Sequence, residues 1–256
     1  MLAEIGYEGF QDGDRFLLAY MPAASFSESS LRKLDGFLNT EGVKYEYRIL
    51  EERNWNREWE KNFQPVVIGN KCLVRAPFHR TQSKYPMEIV IEPKMAFGTG
   101  HHPTTEMIAG YLLNRNLQGT SIFDMGCGSG ILGIIAAKAG AEMVEMADTD
   151  PNAVASALEN VSKNKAGNTR VYHGGIEVLR GKKPDIITAN ITRAVLLEHM
   201  KDYSKALARG GSLVISGIIS SDCSTMIASG GSHGLKLVNK ICREDWLMLE
   251  FCKPQY

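Results

Sequence analysis

The stretch Ile122-Phe123-Asp124-Met125-Gly126-Cys127-Gly128-Ser129-Gly130 decides the fold. A short apolar strand runs into three alternating glycines and then into residues with helical character. Glycine tolerates positive φ and lets a ligand reach backbone that a Cβ would shield. A helix starting behind such a turn offers free N–H groups and the positive end of its dipole. Outward from here the chain alternates between strand and helix. Strands are expected over residues 121–125, 143–147, 170–173, 185–189 and 212–216, with helices over 130–138, 151–164 and 193–208. Parallel strands need crossovers of this kind, so the pattern predicts an α/β, doubly wound, mostly parallel sheet. Two last strand-like runs, 235–243 and 245–252, are separated by almost nothing. They predict an antiparallel hairpin on one edge and bring the sheet to seven strands.

Composition narrows the function classes. The chain has 256 residues, 29 Lys plus Arg against 29 Asp plus Glu, and 44% hydrophobic residues. That is globular composition, with no general electrostatic footprint for nucleic acid. No apolar run reaches the ~20 residues that span a bilayer, and the first residues lack a signal-peptide pattern. The cysteines, Cys72, Cys127, Cys223, Cys242 and Cys252, form no CxxC pair. A disulfide framework or metal site is therefore not expected, and a cytoplasmic, reducing setting is.

The front of the chain reads differently. Residues 15–21 are strand-like and end at Pro22. Ser25 with Glu28 makes a capping pattern, and Leu31, Leu34, Phe37 and Leu38 follow at helical spacing. Residues 45–50 read as a second strand. Residues 1–50 thus form a small α+β unit that looks shortened at its N-terminus. Trp55, Trp59 and Phe63 stand at i, i+4, i+8 within 51–65, which reads as a linker helix packing one stripe on a neighbouring domain. The remaining domain covers 66–256. It opens with a hairpin over 66–78 turning at Gly69-Asn70, then a strand over 88–92.

Two cofactor readings fit the glycine turn. Gly128, Gly130 and Gly133 make a literal G-x-G-x-x-G, and the acidic Asp148 follows where ribose hydroxyls would be held, as in nicotinamide-dinucleotide sites. Three features favour S-adenosylmethionine. Asp124 stands two residues before the first glycine, where it can accept from the ammonium of a methionine moiety. Asp150-Pro151 opens a helix with Pro at a favoured early position. Asn190 ends the fourth strand with both donors and an acceptor.

D-x-G-C-G-S-G, D-x-D-P and A-N-I together resemble class I S-adenosylmethionine-dependent methyltransferases. The upstream run Met95-Ala-Phe97-Gly98-Thr99-Gly100-His101-His102-Pro103-Thr104-Thr105 resembles the ribosomal protein L-eleven methyltransferase family (PrmA type). So do Asn54–Trp59 near Phe63 and Ser216-Gly217-Ile218, and the likeness runs from about Gly6 to the C-terminus. It implies a Rossmann-like methyltransferase domain; members of that family usually begin with a further strand and most of a helix before the segment matching Met1–Phe10, and this sequence lacks that half of the first domain. It implies cofactor contacts at Thr105, Gly126, Asp148 and Asn190, with Phe97 and Gly98 on an adjoining loop. The residue reading adds Asp124 and Gly128. The resemblance also implies a large-subunit ribosomal protein as substrate, recognised by the N-terminal domain and modified on lysine side chains and the α-amino group. Thr192 stands where an apolar residue is commoner in that family.

Such a reaction needs an in-line nucleophile and no metal. Asn190 is the candidate for orienting the amine or the cofactor. It is not followed by the Pro-aromatic pair that would stack a planar base or amide, which favours an aliphatic amine. Thr104 or Thr105 is expected to cap the following helix, to touch the cofactor, or both. His101 or His102 either shapes the loop or accepts a proton. Cys127 reads as a small loop filler.

Overall fold

The computed structural model describes residues 7, 9–12, 16–22, 25–26, 34, 44–47, 64–80, 84–92 and 100–255. The chain divides into two compact units, Met1–Trp59 and Glu60–Tyr256. The aromatic stripe at 55, 59 and 63 lies outside the described residues.

In the first unit, β1 (Gly9–Asp12) pairs antiparallel with β2 (Leu17–Tyr20), placing Gly9 opposite Tyr20 and Asp12 opposite Leu17. The sequence gives little sign of β1, because Gly-Phe-Gln-Asp carries one apolar residue; its partner makes it a strand. Leu34, from the expected helix, is helical and buried. Residues 44–47 are not paired as a strand. The alternation at Tyr45 and Tyr47 thus misleads there. The Tyr47 ring packs on Phe26, with centroids 5.0 Å apart.

The second unit begins with β3 (Val66–Ile68) and β4 (Cys72–Arg75), an antiparallel pair whose turn places Gly69 and Asn70 in left-handed backbone. Asn tolerates that conformation because its short side chain hydrogen-bonds locally. β5 (Met87–Val90) adds parallel to β4.

The main sheet has seven strands. β6 (Ser121–Met125), β7 (Met143–Asp148), β8 (Thr169–His173), β9 (Ile186–Asn190) and β10 (Ser212–Ile219) run parallel. β11 (Lys236–Arg243) forms the outer edge, and β12 (Trp246–Cys252) lies antiparallel between it and β10. The order is β11-β12-β10-β9-β6-β7-β8. The doubly wound architecture is as expected, and the last two strands do form a hairpin.

Period-two alternation builds two cores from the same strands. Ile122, Val144, Ile186, Val214 and Met248 face one side, where they meet α1 (Pro103–Leu113), α2 (Ile131–Lys138) and α3 (Pro151–Asn164). Phe123, Ala147, Ile187, Leu213 and Leu249 face the other, against α4 (Arg193–Ala206) and α5 (Cys223–Ser232). Each fully buried large apolar side chain contributes about 1.5–3 kcal/mol. The helix α5 is hard to read from Cys-Ser-Thr-Met-Ile-Ala-Ser-Gly-Gly-Ser, since glycine and serine form helices poorly. Packing explains it. A Cβ on Gly230 would come within 2.6 Å of the Phe251 ring, so the helix lies on the sheet only with glycine there.

Two buried asparagines on α3 tie the small sheet to the glycine turn. Asn164 accepts from Val90 N–H at 2.8 Å and donates to Val90 O at 2.6 Å. Asn160 accepts from Glu92 N–H at 2.8 Å and donates to Ser129 O at 2.9 Å.

Candidate active site

The site grows from the carboxyl ends of the parallel strands, where ligands bind in open α/β sheets. After β6 the backbone turns through Gly126, Gly128 and Gly130, at φ +67°, +54° and +79°. The N–H groups of Gly126 and Cys127 donate to Ala147 O at 2.8 and 3.0 Å, fastening the turn to β7. A Cβ on Gly126 would lie 2.3 Å from Ile191 Cγ2, so the close approach of these two loops requires glycine.

Asp148 ends β7. Its Oδ2 accepts from Gly128 N–H at 2.9 Å and its Oδ1 from Asp150 N–H at 3.0 Å. Each oxygen keeps a lone pair for a hydroxyl. Asp150 caps α3, accepting from Asn152 N–H at 2.8 Å, with Pro151 as the first helical residue. Asn190 ends β9, and its Nδ2 donates to Thr105 Oγ1 at 3.3 Å. Next to it β10 bulges. Its register against β12 slips between Ile215 and Ile218, and Gly217 takes φ +84° with its Cα against the Ile191 backbone.

These ends enclose a cleft of about 510 Å³, within the range of small-molecule sites. Gly126, Gly128, Asp148 and Asn190 line it, as the sequence leads one to expect. Thr105 instead lines a smaller adjoining pocket, together with Asn190, Gly126 and Gly128. Phe97 and Gly98 lie outside the described residues. Asp124 does not line the cleft. It is 1% exposed on the α1–α2 side of the sheet and accepts from Thr188 Oγ1, its register neighbour on β9, at 2.6 Å. Its Oδ2 is buried without a hydrogen-bond partner. Burial pushes its carboxyl up to about 7; the Thr188 bond opposes this and the charge of Asp148 adds to it.

Sequence reasoning missed several lining residues. Gly174 and Gly175 follow β8, and Trp246 opens β12. The Gly-Gly pair after a parallel strand was a usable signal; nothing local marked Trp246. The helix cap also differs from expectation. His102, not a threonine, caps α1: its Nδ1 accepts from Thr104 N–H at 3.4 Å and lies 2.7 Å from Thr104 Oγ1. Pro103 explains this, because it lacks an N–H and has its φ preset for the first helical position. His101 Nε2 lies 2.7 Å from Gln64 O, a loop-fixing contact. Cys127 is buried, and desolvation with the charges of Asp124 and Asp148 holds its thiol far above the usual range. It is therefore a filler rather than a nucleophile.

The residues fit S-adenosylmethionine. Asp148 has capacity for sugar hydroxyls, and Gly126, Gly128 and Asn190 share the cleft wall with it. Sheet order, glycine turn and acidic end of β7 together define a class I S-adenosylmethionine-dependent methyltransferase. A family model described as ribosomal protein L11 methyltransferase (PrmA) matches residues 6–254, and the chain belongs to that family. It is 40% identical over 254 residues to the "Ribosomal protein L11 methyltransferase" of Porphyromonas gingivalis, covering 98% of this chain and 88% of the relative. A protein of the same name from Bacteroides fragilis is 38% identical, with 98% and 91% covered. In fold the chain is similar to the crystal structure of a ribosomal protein L11 methylase from Lactobacillus delbrueckii subsp. bulgaricus. That match has a TM-score of 0.70 and 23% identity, and covers 75% of this chain and 100% of the other.

Proposed function

We propose that this chain methylates ribosomal protein L11 on lysine side chains and the α-amino group, using S-adenosylmethionine. The observation that carries the reading is the cleft at the strand ends, where Gly126, Gly128, Asp148 and Asn190 converge. Family membership and relatives named for that substrate support it. When bound, the cofactor supplies an electrophilic methyl group on a positive sulfur. Asp148 accepts from the ribose hydroxyls, and the glycine turn makes room for the ligand backbone-close. Asp124, buried behind the strand end and outside the cleft wall, adds negative charge toward the amino-acid end once it ionises, above about pH 7. Thr105 and Asn190 shape the amine side, and the family resemblance adds Phe97 and Gly98 as cofactor contacts. Asn190 orients the reacting amine, and Thr105 holds its amide.

The chemical obstacle is the acceptor. An unperturbed lysine has pKa near 10.4, so only about one in a thousand is neutral at pH 7. Asp148 is the only side chain with a formal charge among the described residues of the cleft, so the wall around Asn190 offers no carboxylate to hold an ammonium. Desolvation there favours the free amine. Positioning and desolvation replace a dedicated strong base. The first domain is proposed to dock the protein substrate, in a cytoplasmic setting, with no nucleic acid or membrane contact.

The test is direct. Purified L11, the chain and S-adenosylmethionine are incubated, and intact mass is followed. Mass steps of one methylene on L11 are expected. Tight cofactor binding with no mass change on L11 would overturn the substrate assignment. Saturable NAD binding without S-adenosylmethionine binding would overturn the cofactor assignment.

A further inference from the structure

The sheet order sets the cleft residues in a row. Gly174 follows β8, Asp148 ends β7, Gly126 follows β6, Asn190 ends β9, Gly217 sits in β10 and Trp246 opens β12. Strands lie ~4.8 Å apart, so Trp246 is four strand steps, about 19 Å of sheet, from Asp148. If Asp148 holds the sugar, the methyl acceptor enters beyond Asn190, on the side of β10 and β12. There the wall consists of Gly217, His102 and Trp246.

We propose that Trp246 is the specificity wall for the acceptor, packing on the alkyl stem of a long unbranched primary amine. This rests on the methyltransferase reading above. Three observations carry it. First, Trp246 lines the cleft and is only half-buried, whereas Leu247, Met248 and Leu249 behind it are core. Second, the indole is held rather than loose. The His102 ring meets it edge-on with centroids 4.5 Å apart, and His102 is itself fixed as the cap of α1. Glu244 takes left-handed backbone in the turn ahead of it, and the adjoining Arg243 forms an ion pair with Glu106 of α1. Both ends of the contact between hairpin and helix are thereby fastened. Third, that end of the cleft carries no carboxylate among the described lining residues. An indole gives a lysine-like stem apolar area and excludes water from it, without supplying an anion that would keep the amine protonated. His102 acts through Trp246, as a positioning residue.

The experiment has two arms. In the kinetic arm, kcat, KM for L11 and Kd for S-adenosylmethionine are measured for Trp246→Ala and Trp246→Phe. Trp246→Ala is expected to lower kcat/KM for L11 by about tenfold or more, with cofactor Kd within about twofold of the parent, and Trp246→Phe to recover most of the loss. An unchanged kcat/KM, or a loss matched by the same loss of cofactor affinity, overturns the proposal. The second arm needs no turnover. The chain has three tryptophans, Trp55, Trp59 and Trp246. With Trp55→Phe and Trp59→Phe, emission reports Trp246 alone. A saturable change on titrating Nα-acetyl-lysine amide in the presence of S-adenosylhomocysteine, absent with Nα-acetyl-alanine amide, is expected. No change, or the same change with both amides, overturns the wall. Should the parent bind cofactor yet leave L11 unmodified, the substrate assignment falls and the emission arm still decides the role of Trp246.

Discussion

Replacing Gly217 with alanine separates two costs that ordinarily arrive together. The first is conformational: Gly217 sits at φ +84°, and holding an L-residue in left-handed backbone costs about 1–2 kcal/mol. The second is steric. A Cβ at Gly217 would lie 2.3 Å from Ile191 O, 2.9 Å from Ile191 C and 3.0 Å from Ile191 N. Those atoms are backbone and cannot swing aside. Restoring ordinary contact at 3.4 Å moves the Ile191 peptide by about 1 Å, and Asn190 is the residue before it. A 1 Å misplacement of a reacting group costs about 10²-fold in rate. Gly234 supplies the control, with φ +80° and no atom within 4 Å of an added Cβ. Gly234→Ala pays the conformational cost alone. Both variants are expected to lose at least 1–2 kcal/mol in urea denaturation, roughly the left-handed strain. Only Gly217→Ala should lose about 10²-fold in kcat for L11 methylation. Equal rates for the two variants would refute the idea that the bulge of β10 sets the position of Asn190.

The remaining expectations follow from the same geometry. Asp148→Ala should weaken S-adenosylmethionine binding by about 1.5–3 kcal/mol, the worth of hydrogen bonds to a charged group, as read by calorimetry; unchanged affinity would remove its ribose role. Asn190→Ala should cut kcat by about 10²-fold with a smaller effect on cofactor Kd, and full activity would place amine positioning elsewhere. For Asp124, burial raises the folded carboxyl to about 7 while the unfolded value stays near 3.9. Between these values the folded state holds a proton that the unfolded state has lost, so stability is greatest at low pH and falls as pH rises toward 7, by at most about 1.4 kcal/mol per unit. Asp124→Asn should flatten that slope in urea denaturation at pH 5 and pH 8, and an identical pH difference in both proteins would contradict the assignment. The parent should also bind S-adenosylmethionine more tightly above pH 7 than at pH 6, because the ionised carboxylate suits an ammonium; pH-independent affinity would detach Asp124 from the ligand.

Much of the second unit was legible because its signals are local. An apolar run ending in Gly126-Cys127-Gly128-Ser129-Gly130 predicts strand, turn and helix together, and all three form. Asp150-Pro151 predicts the start of α3, and the helix begins there. Less was legible where composition and packing disagree. Helix α5 exists despite Ser-Gly-Gly near its end, because Gly230 allows it to lie on Phe251. Residues 45–47 alternate like a strand but are not assigned as one among the described residues. The Thr104–Thr105 pair suggested a cap, yet Pro103 moved the helix start to His102.

The sequence by itself determined the doubly wound sheet, the glycine turn and the strand-end acid and amide, because period, turn chemistry and capping act over a few residues. Tertiary structure alone decided which groups share the site. Asp124 meets Thr188 through strand register, Gly217 meets Ile191 through a bulge, and Trp246 meets His102 across 144 positions of chain through the antiparallel return of β12. Such pairings depend on register and on close approach between distant segments. No local pattern encodes these, since a shift of one residue in β6 or β12 would turn that strand's side chains, Asp124 or Trp246 among them, to the other face.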